Sequence, residues 1–287
     1  MAQQLAFIGF GEAGQAFARP GARAFDVKAL DANLRDTLLA DYAASDVIGC
    51  DALPEALNGT TAVLSLVTAA QSKAVAETAA NLISPGTWFF DMNSVAPDTK
   101  RSAAEAIEAA GGRYVDVAVM APVHPKRLAV PLLLSGPHAE DGAEVLTALG
   151  FTDVSVAGPT VGDASSIKMI RSVMVKGLEA LSAECALAAE AAGVREQVVA
   201  SLDASWREES WATRFDYNLD RMLVHGQRRA AEMAESAKTL NALGIAPMMT
   251  EQTVNWQRGL GELGVAVPQG LGAKLQAINT RRQELSA

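Results

Sequence analysis

Cysteine and histidine are scarce in this chain, and no stretch is long and apolar enough to suggest a membrane span. Each shortage removes a class of explanation. Two cysteines, Cys50 and Cys185, stand far apart among 287 residues, so no disulfide framework holds the fold, and reduced thiols suit a cytoplasmic setting. Three widely spaced histidines give no zinc-ligand pattern, and no metal site is expected. No apolar run approaches transmembrane length, and the first residues lack the basic segment of a signal peptide. A basic excess is also missing. The net charge of -9 and the pI near 4.9 argue against nucleic acid and anionic membrane as partners. Repeats and low-complexity segments are absent too. What is plentiful is apolar residue, 49% of the chain. Much of it is alanine, which favours helix. A soluble α/β protein with room for two domains is expected.

The first informative stretch follows an apolar strand at residues 5–8. It reads Gly9-Phe10-Gly11-Glu12-Ala13-Gly14, and a helix is predicted over residues 13–19. A glycine-rich turn between strand and helix has a mechanism. Gly9 permits the tight turn, Gly11 lets a pyrophosphate approach the backbone, and Gly14 lets helix pack on strand. The start of the helix then offers N–H groups and a positive dipole to phosphate. A second strand is predicted over residues 26–30, ending at Asp31. A carboxylate there would accept hydrogen bonds from an adenosine ribose and repel a 2′-phosphate, which favours NAD over NADP. Arg35, one turn later, keeps a phosphate contact open, and Asp31 also reads as the start of the next helix.

Strand and helix patterns then alternate to residue 156, which predicts a doubly wound, Rossmann-type sheet with antiparallel strands late in the order. Val67 and Thr68 end one strand and begin the loop beyond it, where a cofactor lies in open parallel sheets. Residues 91–97, Asp-Met-Asn-Ser-Val-Ala-Pro, form a second such loop. His124, Lys126 and Arg127 sit in a proline-broken loop that reads as solvated. The dinucleotide domain is expected to span residues 1–160.

From residue 161 to 287 an all-helical domain is expected, opening with one long helix that runs to Gly193. That helix would extend roughly 45 Å, enough to act as a spine. At about 100° per residue, Lys168, Ser172 and Glu179 share one lane, with Arg171 at its edge. Further helices are predicted over 195–207, 211–240, 247–259 and 271–285, with a break at Gly226. Trp206, Trp211 and Trp256 read as core or interface. The apolar lane of the spine predicts a homodimer or larger assembly.

Four features occur in a telling order: the turn at Gly9, the loop at Asp91, the segment Met120-Ala121-Pro122, and Gly-x-x-x-x-x-Lys from Gly162 to Lys168. In this the sequence resembles the β-hydroxyacid dehydrogenase superfamily, which includes 3-hydroxyisobutyrate and 6-phosphogluconate dehydrogenases. The tail resembles a bacterial branch with a shortened helical domain. The resemblance implies an NAD(P)-dependent oxidoreductase acting on a small, anionic hydroxy acid or its oxo counterpart, with decarboxylation or isomerisation of the keto product still open. It implies that Lys168 exchanges the hydroxyl proton, that Ser172 supports it, and that Asn93 and Ser94 meet nicotinamide and substrate. Both residues of that pair also suit plain turn chemistry.

Three departures from the family pattern stand out. Ser172 replaces an asparagine, and Arg171 beside it either tunes Lys168 or holds a substrate anion. Met120 and Ala121, with Pro122, replace a Ser-Gly-Gly carboxylate cradle, and Pro122 has no N–H. A lysine of the helical domain falls on Ala231, with Arg228 or Arg229 as substitutes. His225 and Glu232 share that stretch. Two rival readings remain: an imine reductase of the same architecture, and a dinucleotide-binding sensor without turnover.

Overall fold

A computed structural model describes residues 4–205 and 209–286, except for the side chains at 173, 176, 179, 180, 182, 183, 231, 232, 235, 236, 238, 239 and 242. Trp206, Glu179, Ala231 and Glu232 thus lie outside the described residues. The chain divides into two compact units, Met1–Val173 and Met174–Ala287.

In the first unit, β1 (Leu5–Ile8), β2 (Arg23–Phe25), β3 (Ile48–Gly49), β4 (Ala62–Ser65), β5 (Trp88–Asp91), β6 (Arg113–Val119), β7 (Leu132–Ser135) and β8 (Val154–Gly158) form one sheet. Its order is β3-β2-β1-β4-β5-β6-β7-β8. Neighbours pair in parallel except β6 with β7, so the late antiparallel turn of the sheet is real. The connecting helices are α1 (Glu12–Phe17), α2 (Ala32–Ala44), α3 (Leu53–Leu57), α4 (Ser72–Ala80), α5 (Pro97–Ala109) and α6 (Ala139–Ala148).

The strands are apolar on both faces because helices cover both faces. Along β5, Trp88 and Phe90 enter one core cluster while Phe89 enters the other, the period-two alternation of a strand. On one side Phe7, Phe10, Phe17 and Phe151 pack together; on the other, Phe89, Ile107 and Tyr114 do. The order reverses between β1 and β4, and in open α/β sheets ligands bind at that crevice, outside the carboxyl ends of the strands.

One strand prediction was displaced. Residues 26–30 are not a strand: β2 ends at Phe25, and Val27–Leu30 form a short 3-10 turn. Asp26 starts that turn by accepting the Lys28 N–H at 2.9 Å, and Val27 and Leu30 remain exposed. Of the apolar run that suggested a strand, only Ala29 is buried.

The long helix α7 (Asp163–Ala191) opens in the first unit and continues into the second. The second unit adds α8 (Arg195–Ser205), α9 (Trp211–Ala242), α10 (Met248–Gly261) and α11 (Leu271–Ser286). The expected break at Gly226 does not occur, because α9 runs straight through it. Gly226 serves packing instead. A Cβ there would stand 2.2 Å from the Gln257 carbonyl oxygen and 2.8 Å from the Gly261 Cα, so the backbones of α9 and α10 pass each other at this point. Leu260, Leu263 and Ile278 make the small core of this unit.

Candidate functional site

The glycine turn has the geometry its sequence requires. Gly9 sits at φ 88°, and a Cβ on it would stand 2.4 Å from the Leu66 carbonyl oxygen. Gly14 is tight as well, with its notional Cβ 3.1 Å from the Gly9 oxygen. Gly11 differs: nothing lies within 4 Å of where its Cβ would be. Two glycines thus close the turn on the sheet and the third leaves open space. That is the cradle a pyrophosphate requires, and the residues present fit a dinucleotide. Phe10 is fully buried against Phe7 and Tyr42, so its side chain is core and does not face a ligand. Glu12 and Ala13 open α1, whose first N–H groups have no partner within the helix.

The acid beside this turn is Asp26, which the sequence reading passed over. It follows β2 directly, is 8% exposed, and its Oδ2 accepts the Phe10 N–H at 2.8 Å. Burial, then the Asp26 charge, push the nearby Tyr42 hydroxyl well above its ordinary pKa. Asp31 stands further on, exposed, where it caps α2 by accepting the Asn33 N–H at 2.9 Å. Counting from the end of β2 instead of from the apolar run would have found Asp26.

The loops after β4 and β5 are stitched together by Asn93. Its Oδ1 accepts the Val67 N–H at 2.6 Å, and its Nδ2 lies within reach of Ser65, Ser72 and Asp91. Asn93 is 5% exposed, so it holds Val67 and the Thr68 loop in place and faces inward. Ser94, the next residue, is exposed. Its Oγ accepts a hydrogen bond from Lys168 Nζ at 2.7 Å. These two residues lie 74 apart in sequence, and the fold brings them together.

Beneath that contact runs a buried polar row. Ser65, Asp91, Asp116 and Ser135 pair in register from β4 to β7, at the carboxyl ends of β4, β5 and β7 and midway along β6, and all are fully buried. Lys100 of α5, also fully buried, reaches Asp91 Oδ1 at 3.0 Å and Asp116 Oδ1 at 3.3 Å, and donates to the Asp91 carbonyl. Tyr114 donates its hydroxyl to Asp91 at 2.8 Å, and burial followed by the Asp91 charge raises its pKa well above the ordinary value. Asp116 Oδ2 accepts the N–H groups of Gly162 at 3.2 Å and Ser165 at 3.1 Å, and so anchors the start of α7. A carboxylate at a helix N-terminus also meets the helix dipole favourably. The sequence carried a signal for this row. Lys100 occupies the apolar lane of α5 with Ala103, Ala104 and Ile107, at spacings of three, four and seven.

The other predicted site residues are less gathered. Ser172 is half-buried and Arg171 exposed on α7. Met120 donates its N–H to the Pro131 carbonyl at 2.9 Å, and Pro122 has none to give, so of that segment Ala121 is left as the backbone donor. Arg228 is exposed and Arg229 half-buried in α9, in the second unit. Among the described residues, no group of three or more histidines, cysteines or carboxylates could hold a metal ion. Nor is any helix long and apolar enough to cross a membrane.

Residues 4–158 match the model of the NAD binding domain of 6-phosphogluconate dehydrogenase, more than half of the chain. The chain belongs to that family. Residues 189–260 match a domain of unknown function, DUF1932. Among solved structures, a conserved hypothetical protein from Sinorhizobium meliloti 1021 is 38% identical over 98% of this chain and 97% of its own, with a TM-score of 0.59. Conserved protein MTH1747, of unknown function and structurally similar to 3-hydroxyacid dehydrogenases, is 27% identical over 90% and 96%, with a TM-score of 0.57. An imine reductase from Pseudomonas sp. shares the fold at 16% identity over 97% and 100%, with a TM-score of 0.70. An uncharacterized 28.5 kDa protein from Methanothermus fervidus is 28% identical over 178 residues; the match spans 61% of this chain and 66% of that protein. Membership in the 6-phosphogluconate dehydrogenase family gives the chain an NAD(P)-binding domain of oxidoreductase type on a 3-hydroxyacid-dehydrogenase-like fold.

Proposed function

We propose that this member of the 6-phosphogluconate dehydrogenase family is an NAD-preferring dehydrogenase. Its substrate is a small hydroxy acid, or the oxo counterpart in the reverse direction. The observation that carries the reading is the 2.7 Å contact between Lys168 Nζ and Ser94 Oγ at the carboxyl end of the sheet. An ammonium and a hydroxyl held that close form a two-point clamp for an alcohol or carbonyl oxygen. Ser94 orients that oxygen; Lys168 takes its proton when it stands as the neutral amine and returns one when it stands as the ammonium. The nicotinamide, when bound, supplies the hydride acceptor or donor. For cofactor choice the support is Asp26, a carboxylate fixed beside the glycine turn, which would repel a 2′-phosphate.

The spent Met120 N–H and the missing one at Pro122 favour a second reading. Without a backbone cradle for carboxylate, an imine or a neutral carbonyl suits the site as well. Screening NADH oxidation against a panel of oxo acids and imines separates the two, and a chain that turns over neither is a sensor. With the substrate found, Lys168→Ala should leave NAD(H) binding intact and lower turnover roughly a hundred-fold or more. Lys168→Arg should not restore it, because a guanidinium does not release its proton near neutrality. Wild-type turnover in a folded Lys168→Ala protein refutes the assignment.

A further inference from the structure

The first unit contains a pocket at the edge of the sheet away from the glycine turn. It has a volume of about 840 Å³ and lies across the amino ends of β1, β2 and β4, where Leu5, Ala22 and Thr60 line it. β1 is four residues long and β2 three. At about 3.3 Å per residue, roughly 10–13 Å of strand separates the pocket from the turn that suits a dinucleotide. A cofactor on the turn does not fill it.

The charge of this pocket is of one sign. Arg19 and Arg23, both half-buried, line it, and among the described residues no carboxylate does. Acids outnumber bases in the chain by 33 to 24, yet neither arginine forms an ion pair among the described residues. The Glu55 carboxylate accepts the Asp51 N–H at 3.1 Å, and it is the Glu55 carbonyl that Arg23 reaches, at 3.4 Å. Both guanidinium groups are fixed. Arg19 donates Nη1 to the Leu149 carbonyl at the end of α6, and Arg23 donates Nη1 to the Asn58 carbonyl at the end of α3. Such bonds satisfy helix C-termini. They use one nitrogen of each group; the Nε and Nη2 of both have no partner among the described residues. Leu149 belongs to the core on one face of the sheet, and Leu57, beside Asn58, to the core on the other. The two arginines are thus anchored from opposite faces while lining one pocket.

A fixed guanidinium offers an oxyanion a planar set of N–H donors. Two of them, anchored from opposite faces, select a molecule with an oxyanion at each end. The apolar lining of Leu5, Ala22 and Leu149 suits the body between, and the volume admits one the size of a sugar or nucleotide. We infer that this pocket binds a small bis-anion, with one phosphate or carboxylate on Arg19 and the other on Arg23. The inference stands whether or not the chain catalyses the reaction proposed above.

Calorimetric titration of the full chain, saturated with NADH to occupy the turn, tests this with three probes. Fructose 1,6-bisphosphate carries two phosphates, adipate two carboxylates, and fructose 6-phosphate a single phosphate. At least one bis-anion should bind saturably, about tenfold or more tightly than the single phosphate, and Arg23→Met should weaken it by about tenfold or more. A second pair of variants leaves both arginine–carbonyl bonds in place. Ile48 lines the pocket and is 54% exposed. Ile48→Glu adds a like charge for the ligand and should weaken binding, whereas Ile48→Lys should not. Lys168→Ala should bind as wild type does; loss of binding there would place the probe in the catalytic site and refute the pocket. Binding of neither bis-anion, equal binding of fructose 6-phosphate, or binding unchanged in both Arg23→Met and Ile48→Glu also overturns the inference.

Discussion

Lys100 offers the sharpest test of how this fold holds its site. It is the cation recorded between Asp91 and Asp116, and all three are fully buried. Lys100→Met keeps the aliphatic stem and removes the charge. Two carboxylates, neighbours in register, are then left in the interior with none of the ammonium's attraction. Removing one partner of a buried ion pair costs about 3–5 kcal/mol, because the remaining charge is uncompensated. For a unit of this size each kcal/mol lowers the melting temperature by about 2–4 °C, so a fall of roughly 6–20 °C is expected. Urea unfolding with thermal melts measures both. A companion variant makes the cause specific. Asp116→Asn removes one negative charge and can keep an oxygen facing the Gly162 and Ser165 N–H groups. Combined with Lys100→Met, it should recover part of the loss, a positive coupling in a double-mutant cycle. A loss below about 1 kcal/mol for Lys100→Met, or simple additivity in the cycle, would show that the buried charge row does not hold the sheet ends together.

Cofactor preference should follow Asp26: Asp26→Asn narrows the affinity gap between NAD(H) and NADP(H), whereas Asp31→Ala, at an exposed helix cap, leaves it unchanged. Titration giving the reverse pattern returns the role to Asp31. Glu184 is buried, which raises its pKa, but donors from Thr250 and the N–H groups of Met249, Thr250 and Met248 outweigh this and hold it below the ordinary 4.5. Its stabilisation is therefore present above about pH 4.5 and lost as pH falls through the lower folded value. The stability gap between wild type and Glu184→Gln should stay constant from pH 5 to 7 and shrink under acid; a gap that is flat throughout contradicts this. Self-association is also expected. Leu187, Trp211, Met248 and Trp256 of the helical unit are 48–70% exposed, so light scattering at micromolar concentration should report a dimer or larger, and a monomer refutes it.

The alternation of strand and helix was legible because each strand is short, apolar and closed by a turn residue, and that pattern fixes a doubly wound sheet without tertiary information. Two local readings failed where tertiary contact overrode composition. Val27 to Leu30 resemble a strand in composition, yet Asp26, held from the glycine turn by the Phe10 N–H, bends the chain into a turn by taking the Lys28 N–H, and Val27 and Leu30 stay in solvent. Gly226 resembles a helix breaker. Its missing side chain is instead what lets α10 pass, a reason that exists only once the second helix is in place. Propensity is a local prior, and both failures occur where another segment decides.

The site was legible in its parts and hidden in its joinery. Lys168 and Ser94 could each be singled out by motif, but nothing in the sequence gives the 2.7 Å between them. That distance rests on two anchors. Ser94 follows Asn93, whose N–H and Nδ2 are held by Asp91 at 3.0 Å and 2.7 Å. Lys168 lies just past Ser165, whose N–H is held by Asp116 at 3.1 Å. Lys100 binds both aspartates, so one buried cation fixes the two chain segments that carry the contact. The same loops that sequence reading assigns to substrate therefore do a prior task. Asn93 spends its side chain on holding the loop, and the neighbouring Ser94 is left to face outward. A general acid–base group needs its partner within hydrogen-bond reach. If the reaction proposed above holds, Lys168 is that group and its reach is set by the buried Lys100 row. A Lys100 variant that still folds should then lose turnover while still binding NAD(H) at the glycine turn, and unchanged turnover would contradict this.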